Sequence, residues 1–358
     1  MMKKLRVALI GQGRSGKNIH GKFLLSENNK NFEVAYVVDR DPKMRAMAKE
    51  AYAGCVTLAE YTELFGKKDV DFVVNASYSN EHYPITKDLL EHGFNVLTEK
   101  PFAKTYFECM TLEKTAKEHG VLLAVFQNTQ KAPFYLDAIE KIKSGVLGDI
   151  KQISIRYNNL ARRWDWQTLQ KMVGGSAYNT GPHPIAMALG FLDFDENTKL
   201  VFSKLDTALT SGDAEDYVKL ILTAPNKPVI DIEMNSTDAF SDYNLKIQGS
   251  RGTMKSTPAS FKMKYYLDSE NPARPVIEQS LRNEEGLPVY CSEKLVCHEE
   301  EGSYDGNAFN VGTASIYNDV YLALTEKKPL AVTCAQAAQV IRIIEQAHAE
   351  NPLPVKWI

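Results

Sequence analysis

The chain has 358 residues, of which 44% are hydrophobic and 24% are charged, and its formal net charge is −3. This length favours two domains, and the composition is typical of a soluble globular protein rather than a disordered or membrane protein. The small negative charge, without dense runs of lysine or arginine, argues against nucleic acid as a partner. A small-molecule substrate is therefore expected.

Targeting and redox signals favour a cytoplasmic protein. The first apolar run ends at Gly11 and is shorter than the core of a signal peptide, and no stretch reaches the length of a membrane span. The five cysteines, at positions 55, 109, 291, 297 and 334, are odd in number and scattered, as reduced thiols would be. Cys291, Cys297 and His298 lack a CxxC pair or a fourth ligand, so no metal site is predicted.

Strand and helix patterns alternate through the first third of the chain. LRVALI (5–10) and FEVAYVVD (32–39) are apolar runs typical of buried parallel strands, each followed by a helical pattern. The alternation continues through a strand, a helix, a strand and a helix at 70–77, 82–93, 94–101 and 109–120, and VLLAVFQN closes the series. This order predicts a doubly wound α/β domain of the Rossmann type with a parallel sheet.

The motif GQGRSG joins the first strand to the first helix and has the spacing of a dinucleotide-binding turn. Its first glycine permits a tight turn, its second allows a pyrophosphate to approach the backbone, and its third allows close packing of helix and strand. The helix N-terminus would bind the phosphates. The predicted cofactor contacts here are Gly11, Gln12, Gly13, Arg14, Ser15 and Gly16. The alternative is a turn that only requires positive φ.

Asp39 ends the second strand, 23 residues after Gly16. An acid at this point would accept hydrogen bonds from the adenosine ribose and repel a 2′-phosphate, which favours NAD over NADP. Arg40 follows it and could stack on adenine or reach a 2′-phosphate. NAD is therefore the predicted cofactor, with NADP as the less favoured alternative.

The segment TEKP places Glu99 and Lys100 where a parallel strand ends, at the edge where open α/β sheets bind ligands. Pro101 restricts Lys100 to extended conformations and admits a cis bond. Burial and a cationic nicotinamide would lower the pKa of Lys100 into a range useful for proton transfer. The alternative is a solvated lysine paired with Glu99.

These motifs and four later segments resemble the oxidoreductase family of glucose-fructose oxidoreductase, inositol dehydrogenase and rhizopine catabolism proteins (Gfo/Idh/MocA). The matching segments, in order, are VALIGQGRSG, ASYSNEHYP, TEKP, FQNTQKAPFYLDAIEKIKSGVLGDI, GGSAYNTGPHPI and LKIQGSRGTM. The resemblance implies an NAD-binding Rossmann domain over residues 1–127 and an α+β domain over residues 128–358. The open, mostly antiparallel sheet of the second domain would supply the contacts of a dimer, tetramer or hexamer.

Patterns in the second half agree with that architecture. Residues 217–224 and 228–235 alternate apolar and polar side chains, as strands with one buried face do. AQAAQVIRIIEQAHAEN has helical spacing, and the region from about Ser256 to Gly306 shows no strong period, which indicates strand pieces and long loops.

The resemblance also implies catalytic residues. In relatives, a lysine, an aspartate and a histidine bind the reacting hydroxyl, and the histidine accepts its proton. Lys100 and His183 match two of them, whereas Asn179 stands where the family pattern GGGALLDIGVH has aspartate. Without that charge His183 should be a weaker base, so Lys100 is expected to carry more of the proton transfer and Asn179 to position substrate or imidazole. Alternatively, His183 is a loop residue that bonds only to backbone.

The loop ASYSNEHYP corresponds to the family's ATPPNTH loop. The match implies cofactor contacts from Ser77, Asn80 and His82, with Glu99 and Lys100 completing the set.

Four further residues are predicted to contact substrate. Asn128 matches a family asparagine, although Thr129 and Gln130 stand where arginines are common. The segment RRWDW offers Arg163 and Trp166, whose indole suits stacking on a sugar or could instead fill the domain junction. Tyr178, beside Asn179, is the fourth.

Together with these residues, the family resemblance implies an NAD-dependent oxidoreductase that oxidises a secondary hydroxyl of a sugar, glycoside or cyclitol. C3 of a glucoside is the favoured position, giving a 3-keto sugar as a first step of deglycosylation. Three alternatives remain: an inositol or polyol 2-dehydrogenase, an NAD-dependent glycosidase that oxidises C3 transiently, and a non-catalytic NAD-binding sensor.

Overall fold

The computed structural model describes residues 4–357, so residues 1–3 and 358 of the two predicted domains lie outside the described part. Six parallel strands form the first sheet, and they run in chain order as β1 (Leu5–Ile10), β2 (Phe32–Val38), β3 (Val56–Leu58), β4 (Phe72–Asn75), β5 (Val96–Thr98) and β6 (Leu123–Val125). Their spatial order is β3-β2-β1-β4-β5-β6. Every pairing is parallel, as the strand and helix alternation predicted.

Helices connect these strands. A π-helical turn, Gly16–Gly21, leads into α1 (Lys22–Leu24), and the longer connections are α2 (Pro42–Ala51), α3 (His82–Glu91) and α4 (Tyr106–His119). The side chain of Thr105 accepts a hydrogen bond from the N–H of Glu108 at the start of α4, and Gly120 ends that helix with positive φ.

The second sheet has eight strands on a mostly antiparallel plan. Its strands are β7 (Ile150–Arg156), β8 (Lys199–Asp206), β9 (Tyr217–Thr223), β10 (Val229–Asn235), β11 (Leu245–Gly249), β12 (Gly252–Ser256), β13 (Ser260–Tyr266) and β14 (Cys297–Ser303). They lie in the order β14-β13-β12-β11-β7-β10-β9-β8, and only β7 and β10 pair in parallel. The predicted fold class is confirmed.

Five further helices follow in the chain: α5 (Pro133–Lys143), α6 (Ser176–Asn179), α7 (Pro182–Phe191), α8 (Thr313–Glu326) and α9 (Cys334–Glu350). Side chains alternate between buried and partly exposed along β9 and β10, so one face of the sheet packs against helices. None of the described helices is long and apolar enough to cross a membrane.

The two parts of the chain share a core. Ile316, Tyr317 and Val320 of α8 are buried in the same apolar cluster as Val7 and Leu9 of β1. In addition, α9 packs against α4. The parallel sheet is therefore covered on one side by a helix that comes from the end of the chain.

Candidate functional site

The glycine turn after β1 is closed on its inner side and open on its outer side. A Cβ on Gly11 would lie 2.4 Å from the carbonyl oxygen of Ala76, and a Cβ on Gly16 would lie 1.9 Å from the carbonyl oxygen of Gly11. A Cβ on Gly13 would meet nothing within 4 Å. The exposed backbone at Gly13 therefore borders free space at the start of a helical segment, which fits the binding of a pyrophosphate.

Asp39 lies beside this turn, just past the end of β2. Its Oδ2 accepts a hydrogen bond from the backbone N–H of Gln12 at 2.7 Å, and its Oδ1 accepts one from the backbone N–H of Asp41 at 2.8 Å. The sheet and the turn thus bring an acid to the place where the adenosine ribose of a dinucleotide would lie. Arg14 and Ser15 complete the turn, and Arg14 is exposed.

Arg40 is held by two carboxylates. Its Nη1 donates to Glu81 at 2.7 Å and its Nε to Glu60 at 3.4 Å. The hydrogen bond to Glu81 is the main cause that raises the pKa of Arg40 above its ordinary value. The guanidinium is therefore paired with anions of the protein itself.

The loop after β4 is braced from within by His82. The Nδ1 atom of His82 lies 2.7 Å from the carbonyl oxygen of Pro101, and Nε2 lies 3.2 Å from that of Ser77. Burial lowers the pKa of His82, so the ring is neutral and donates its single N–H to the nearer oxygen, that of Pro101. Both ring nitrogens face protein carbonyls, and Asn80 alone of the predicted contacts in this loop is exposed.

Lys100 lies at the carboxyl end of the parallel sheet and reaches the second domain. Its Nζ donates a hydrogen bond to the backbone carbonyl of Asn179 at 2.8 Å, and the bond to Pro101 is cis. Burial lowers the pKa of Lys100, and the charges of Arg14 and Arg163 lower it further against the opposing effect of Glu99. The amine is therefore easier to deprotonate than an exposed lysine.

His183 begins α7 and is oriented by a threonine. Its Nδ1 lies 2.5 Å from Oγ1 of Thr129, a residue buried at the end of the parallel sheet. Burial and the nearby charge of Lys100 lower the pKa of His183 to about 3. The imidazole is therefore neutral at physiological pH, and its Nε2 has no hydrogen-bond partner among residues 4–357.

The side chain of Asn179 is bonded within its own domain. Its Oδ1 accepts a hydrogen bond from Nε2 of Gln167 at 2.8 Å, and Gln167 in turn bonds to Arg163. Arg163 also pairs with Asp165 at 2.6 Å. The imidazole of His183 is held by Thr129, at a position where arginine is common in relatives, and Asn179 is held by Gln167, which follows the RRWDW segment.

Two other predicted substrate residues have protein partners. The hydroxyl of Tyr178 donates to the carbonyl of Lys104 at 2.8 Å, and its buried ring stacks on His348 at 4.9 Å. The structure therefore corrects the prediction for Tyr178, whose side chain packs into the domain core. Trp166 makes an edge contact with Tyr78, with ring centroids 4.9 Å apart.

Asn128 is buried in the turn that also contains Thr129. Its Nδ2 donates to the carbonyl of Ala308 at 2.9 Å. Its Oδ1 and the Nε2 of Gln130 are buried and have no hydrogen-bond partner within residues 4–357. These atoms are a free acceptor and a free donor next to Thr129.

The sequence analysis missed a buried hydrogen-bonded chain beneath Lys100. Oε2 of Glu99 accepts from the backbone N–H of Lys100 at 3.0 Å, and its Oε1 lies 3.1 Å from Nε2 of His20. Nδ1 of His20 lies 2.9 Å from the hydroxyl of Tyr317. The signal in the sequence was a polar residue on the buried side of the helical segment after the glycine turn.

Comparisons with known proteins agree with this architecture. The family model described as an oxidoreductase family with an NAD-binding Rossmann fold matches residues 5–127, and its C-terminal alpha/beta domain matches residues 139–350. An uncharacterized oxidoreductase of Schizosaccharomyces pombe is 28% identical over 263 residues, which are 70% of each chain. The scyllo-inositol 2-dehydrogenase (NADP(+)) IolW of Bacillus subtilis is 23% identical over 350 residues, covering 96% of this chain and 92% of that protein.

Solved structures share the fold. GenD2 from gentamicin A biosynthesis, in complex with NAD, superposes with a TM-score of 0.76 at 20% identity, over 98% of this chain and 94% of that one. The glycine turn, the parallel sheet and the two matched family domains together show that the chain belongs to the Gfo/Idh/MocA oxidoreductase family.

Proposed function

We propose that this protein is an NAD-dependent dehydrogenase that oxidises a secondary hydroxyl of a sugar, glycoside or cyclitol, with C3 of a glucoside as the favoured position. The observation that carries the proposal is that Lys100 from the parallel sheet bonds to Asn179 and lies near His183, which Thr129 holds. A dissociable amine and a neutral imidazole there suit the binding and deprotonation of a hydroxyl.

The two side chains have different roles. Lys100 accepts the hydroxyl proton in its neutral form, because its pKa is lowered whereas that of His183 is about 3. His183 orients the hydroxyl through Nε2, with Thr129 fixing the ring. When bound, the nicotinamide would supply the hydride acceptor. These roles follow the expectation that, with asparagine in place of the family's aspartate at position 179, Lys100 carries more of the proton transfer.

NAD is the proposed cofactor rather than NADP. Asp39 would bind the ribose hydroxyls and repel a 2′-phosphate. Arg40, which could counter that repulsion, is paired with Glu81 and Glu60. The relative IolW is named as NADP-linked, so cofactor choice must be measured on this chain directly.

The residues around Lys100 and His183 suit a neutral, polyhydroxylated substrate. Thr129 and Gln130 stand where arginines are common in relatives, so this part of the site offers no cation for a charged substrate group. The rings of Tyr78 and Trp166, together at the loop edge, offer apolar faces for a sugar ring or an aglycone. The resemblance to IolW keeps a cyclitol as the alternative substrate.

Steady-state assays would test the proposal. We expect NADH formation with glucose or an aryl glucoside, whereas turnover of myo-inositol alone would overturn the glucoside assignment. Lys100→Met and His183→Ala should retain NAD binding and lose turnover, while Lys104→Met, at an exposed lysine four residues away, should retain both. Release of free aglycone without net NADH would identify a glycosidase, and no turnover with any substrate would favour an NAD sensor.

We also propose that the protein is a cytoplasmic homo-oligomer. The face of the second sheet that carries Arg156, Lys219, Asp231 and Glu233 holds a network of ion pairs, with side chains 14–21% exposed. These charged groups already pair with one another, so covering this face with a second copy would leave no charge unpaired. Light scattering on the purified chain would decide between monomer, dimer, tetramer and hexamer.

A further inference from the structure

A buried chain of three side chains connects the first half of α8 to the lysine of the site. Tyr317 and His20 have no exposed surface, and Glu99 is 3% exposed. The contacts run from the Tyr317 hydroxyl to His20 Nδ1 at 2.9 Å, from His20 Nε2 to Glu99 Oε1 at 3.1 Å, and from Glu99 Oε2 to the backbone N–H of Lys100 at 3.0 Å. The chain spans both parts of the protein.

Only one placement of protons satisfies every group in this chain. A buried carboxylate accepts hydrogen bonds, so Nε2 of His20 carries a proton and donates to Glu99. Nδ1 then accepts from the hydroxyl of Tyr317, for which no other partner exists within residues 4–357. If Tyr317 accepted instead, its own buried O–H would be left without a partner, which is costly. Tyr317 therefore selects the neutral Nε2–H tautomer of His20.

Because this tautomer of His20 is neutral, it does not cancel the negative charge of Glu99, and that charge acts on Lys100. Burial alone would raise the pKa of Glu99, but the hydrogen bond from His20 and the nearby charge of Lys100 lower it. Glu99 is thus ionised at any physiological pH. It fixes the backbone of Lys100 through Oε2 and opposes the loss of the lysine proton by its charge.

We propose that His20 and Tyr317 are positioning residues that set the conformation and the charge of Lys100 through Glu99. Neither touches substrate or cofactor. The inference rests on the proposed function of Lys100 as proton acceptor. The charged and titratable groups that face this lysine come from its own strand end, the glycine turn and the second domain, and they are Glu99, Arg14, Arg163 and His183, with His82 beside Glu99.

The first test determines the tautomer of His20 by NMR and needs no substrate. In protein labelled with ¹⁵N-histidine, His20 should show the Nε2–H tautomer at neutral pH, and its signals would be assigned from the His20→Gln spectrum. Tyr317→Phe should move the Nδ1 signal, whereas Tyr321→Phe, one turn further along α8, should not. An imidazolium or an Nδ1–H tautomer in the unchanged protein would overturn the proposal.

The second test measures the pKa of Lys100 from the ¹³Cε signals of labelled lysine, assigned with Lys100→Met. His20→Leu removes the donor to Glu99 and should raise this pKa by about half a pH unit, because the carboxylate charge then acts more strongly on the ammonium. His20→Gln supplies an amide N–H in place of the imidazole N–H and should restore the original pKa of Lys100. Glu99→Gln should lower the pKa. Equal values in all four proteins would contradict the proposal.

Kinetics add a readout that a purely structural role would not give. With a substrate in hand, kcat of His20→Leu should fall about fivefold and the ascending limb of its pH profile should move with the measured pKa of Lys100, while KM for NAD stays unchanged. His20→Gln should recover both. If no substrate is found, the proposed function fails, but the two spectroscopic tests still decide the role of His20. If His20→Leu does not fold, Tyr317→Phe and His20→Gln still decide it.

Discussion

The Nζ atom of Lys100 donates to the backbone carbonyl of Asn179, 2.8 Å away, and this hydrogen bond joins the edge of the parallel sheet to the end of α6. The acceptor is a main-chain atom, so it is present whatever side chain occupies position 179. A site that anchors its lysine on backbone can exchange the neighbouring aspartate for asparagine without losing the anchor. The exchange then changes charge more than geometry.

The pH dependence of the reaction should reflect the ionisation of Lys100 alone. Because the pKa of Lys100 is lowered from 10.5, kcat/KM for oxidation should rise with pH along a single limb whose inflection lies below 10.5. His183, with a pKa of about 3, should add no inflection near pH 6.5. Steady-state rates from pH 5.5 to 10 would show this, and Lys100→Met should lower kcat at least about 100-fold. A limb centred near 6.5 would assign the proton to histidine instead.

Thr129 should affect kcat and leave NAD affinity unchanged. Thr129→Val removes the hydrogen bond to His183 Nδ1, and losing a bond worth about 1 kcal/mol should lower kcat roughly fivefold to tenfold. Thr129→Ser keeps the hydroxyl and serves as the matched control. NAD affinity, measured by fluorescence titration, should be the same in both variants. An unchanged kcat in Thr129→Val would mean that packing alone holds the imidazole.

Restoring the family's acid should slow the reaction at neutral pH. In Asn179→Asp the carboxylate can still accept from Gln167, but its charge lies beside the lysine ammonium and should raise the pKa of Lys100. The ascending limb of the pH profile should therefore move up by about one pH unit. Asn179→Ala keeps the backbone carbonyl and should leave the limb in place. If the profile of Asn179→Asp matched that of the unchanged protein, the coupling would be excluded.

The sequence predicted the elements with local patterns and missed those that depend on contacts distant in the chain. Residues 82–93 were predicted as a helix and form α3, because their apolar residues repeat at helical spacing. The α8 helix was not predicted, although Tyr317 completes the core of the first sheet. The region from 256 to 306 holds β13 and β14, which pair with each other across a long loop. Such pairing is invisible to periodicity within one segment.

In the site, too, the residues in local motifs were predicted and their partners distant in the chain were not. The glycine turn, Asp39, Lys100 and His183 could be placed from motifs, because each follows a strand or begins a helix. The partners of those residues could not, since Thr129 meets His183 across 54 positions of sequence and His20 meets Glu99 across 79. Tyr178 was misassigned for the same reason, because its partner His348 lies near the end of the chain.

Cofactor preference should depend on the ion pairs of Arg40. The unchanged protein should bind NAD more tightly than NADP, because Asp39 repels a 2′-phosphate and Arg40 is engaged by Glu81 and Glu60. Glu81→Gln breaks the shorter pair, and the freed guanidinium should raise affinity for NADP about twofold to fivefold with little effect on NAD. Calorimetric titration with both cofactors would measure this. An equal gain for NAD would show that Arg40 does not read the 2′ position.

Stability should depend on pH through Glu215, which holds the loop before α7. The buried carboxylate of Glu215 accepts from the backbone N–H of Ala177 at 2.9 Å and pairs with Nε2 of His348 at 3.2 Å. Burial alone would lower the pKa of His348, but the hydrogen bond and charge of Glu215 raise it above 6.5. A raised pKa in the folded state means that this stabilisation is complete below about pH 6.5 and is lost as the pH rises through the folded value.

Glu215→Gln should therefore lower the free energy of unfolding by about 1–3 kcal/mol, since a buried pair and a helix-start contact are both weakened. The deficit should be larger at pH 6 than at pH 8.5, because only a protonated His348 depends on the lost charge. Urea unfolding at the two pH values would measure it. His348→Gln is the matched control and should remove the pH dependence of the deficit while leaving the contact to Ala177. A deficit equal at both pH values would show that Glu215 acts through Ala177 alone.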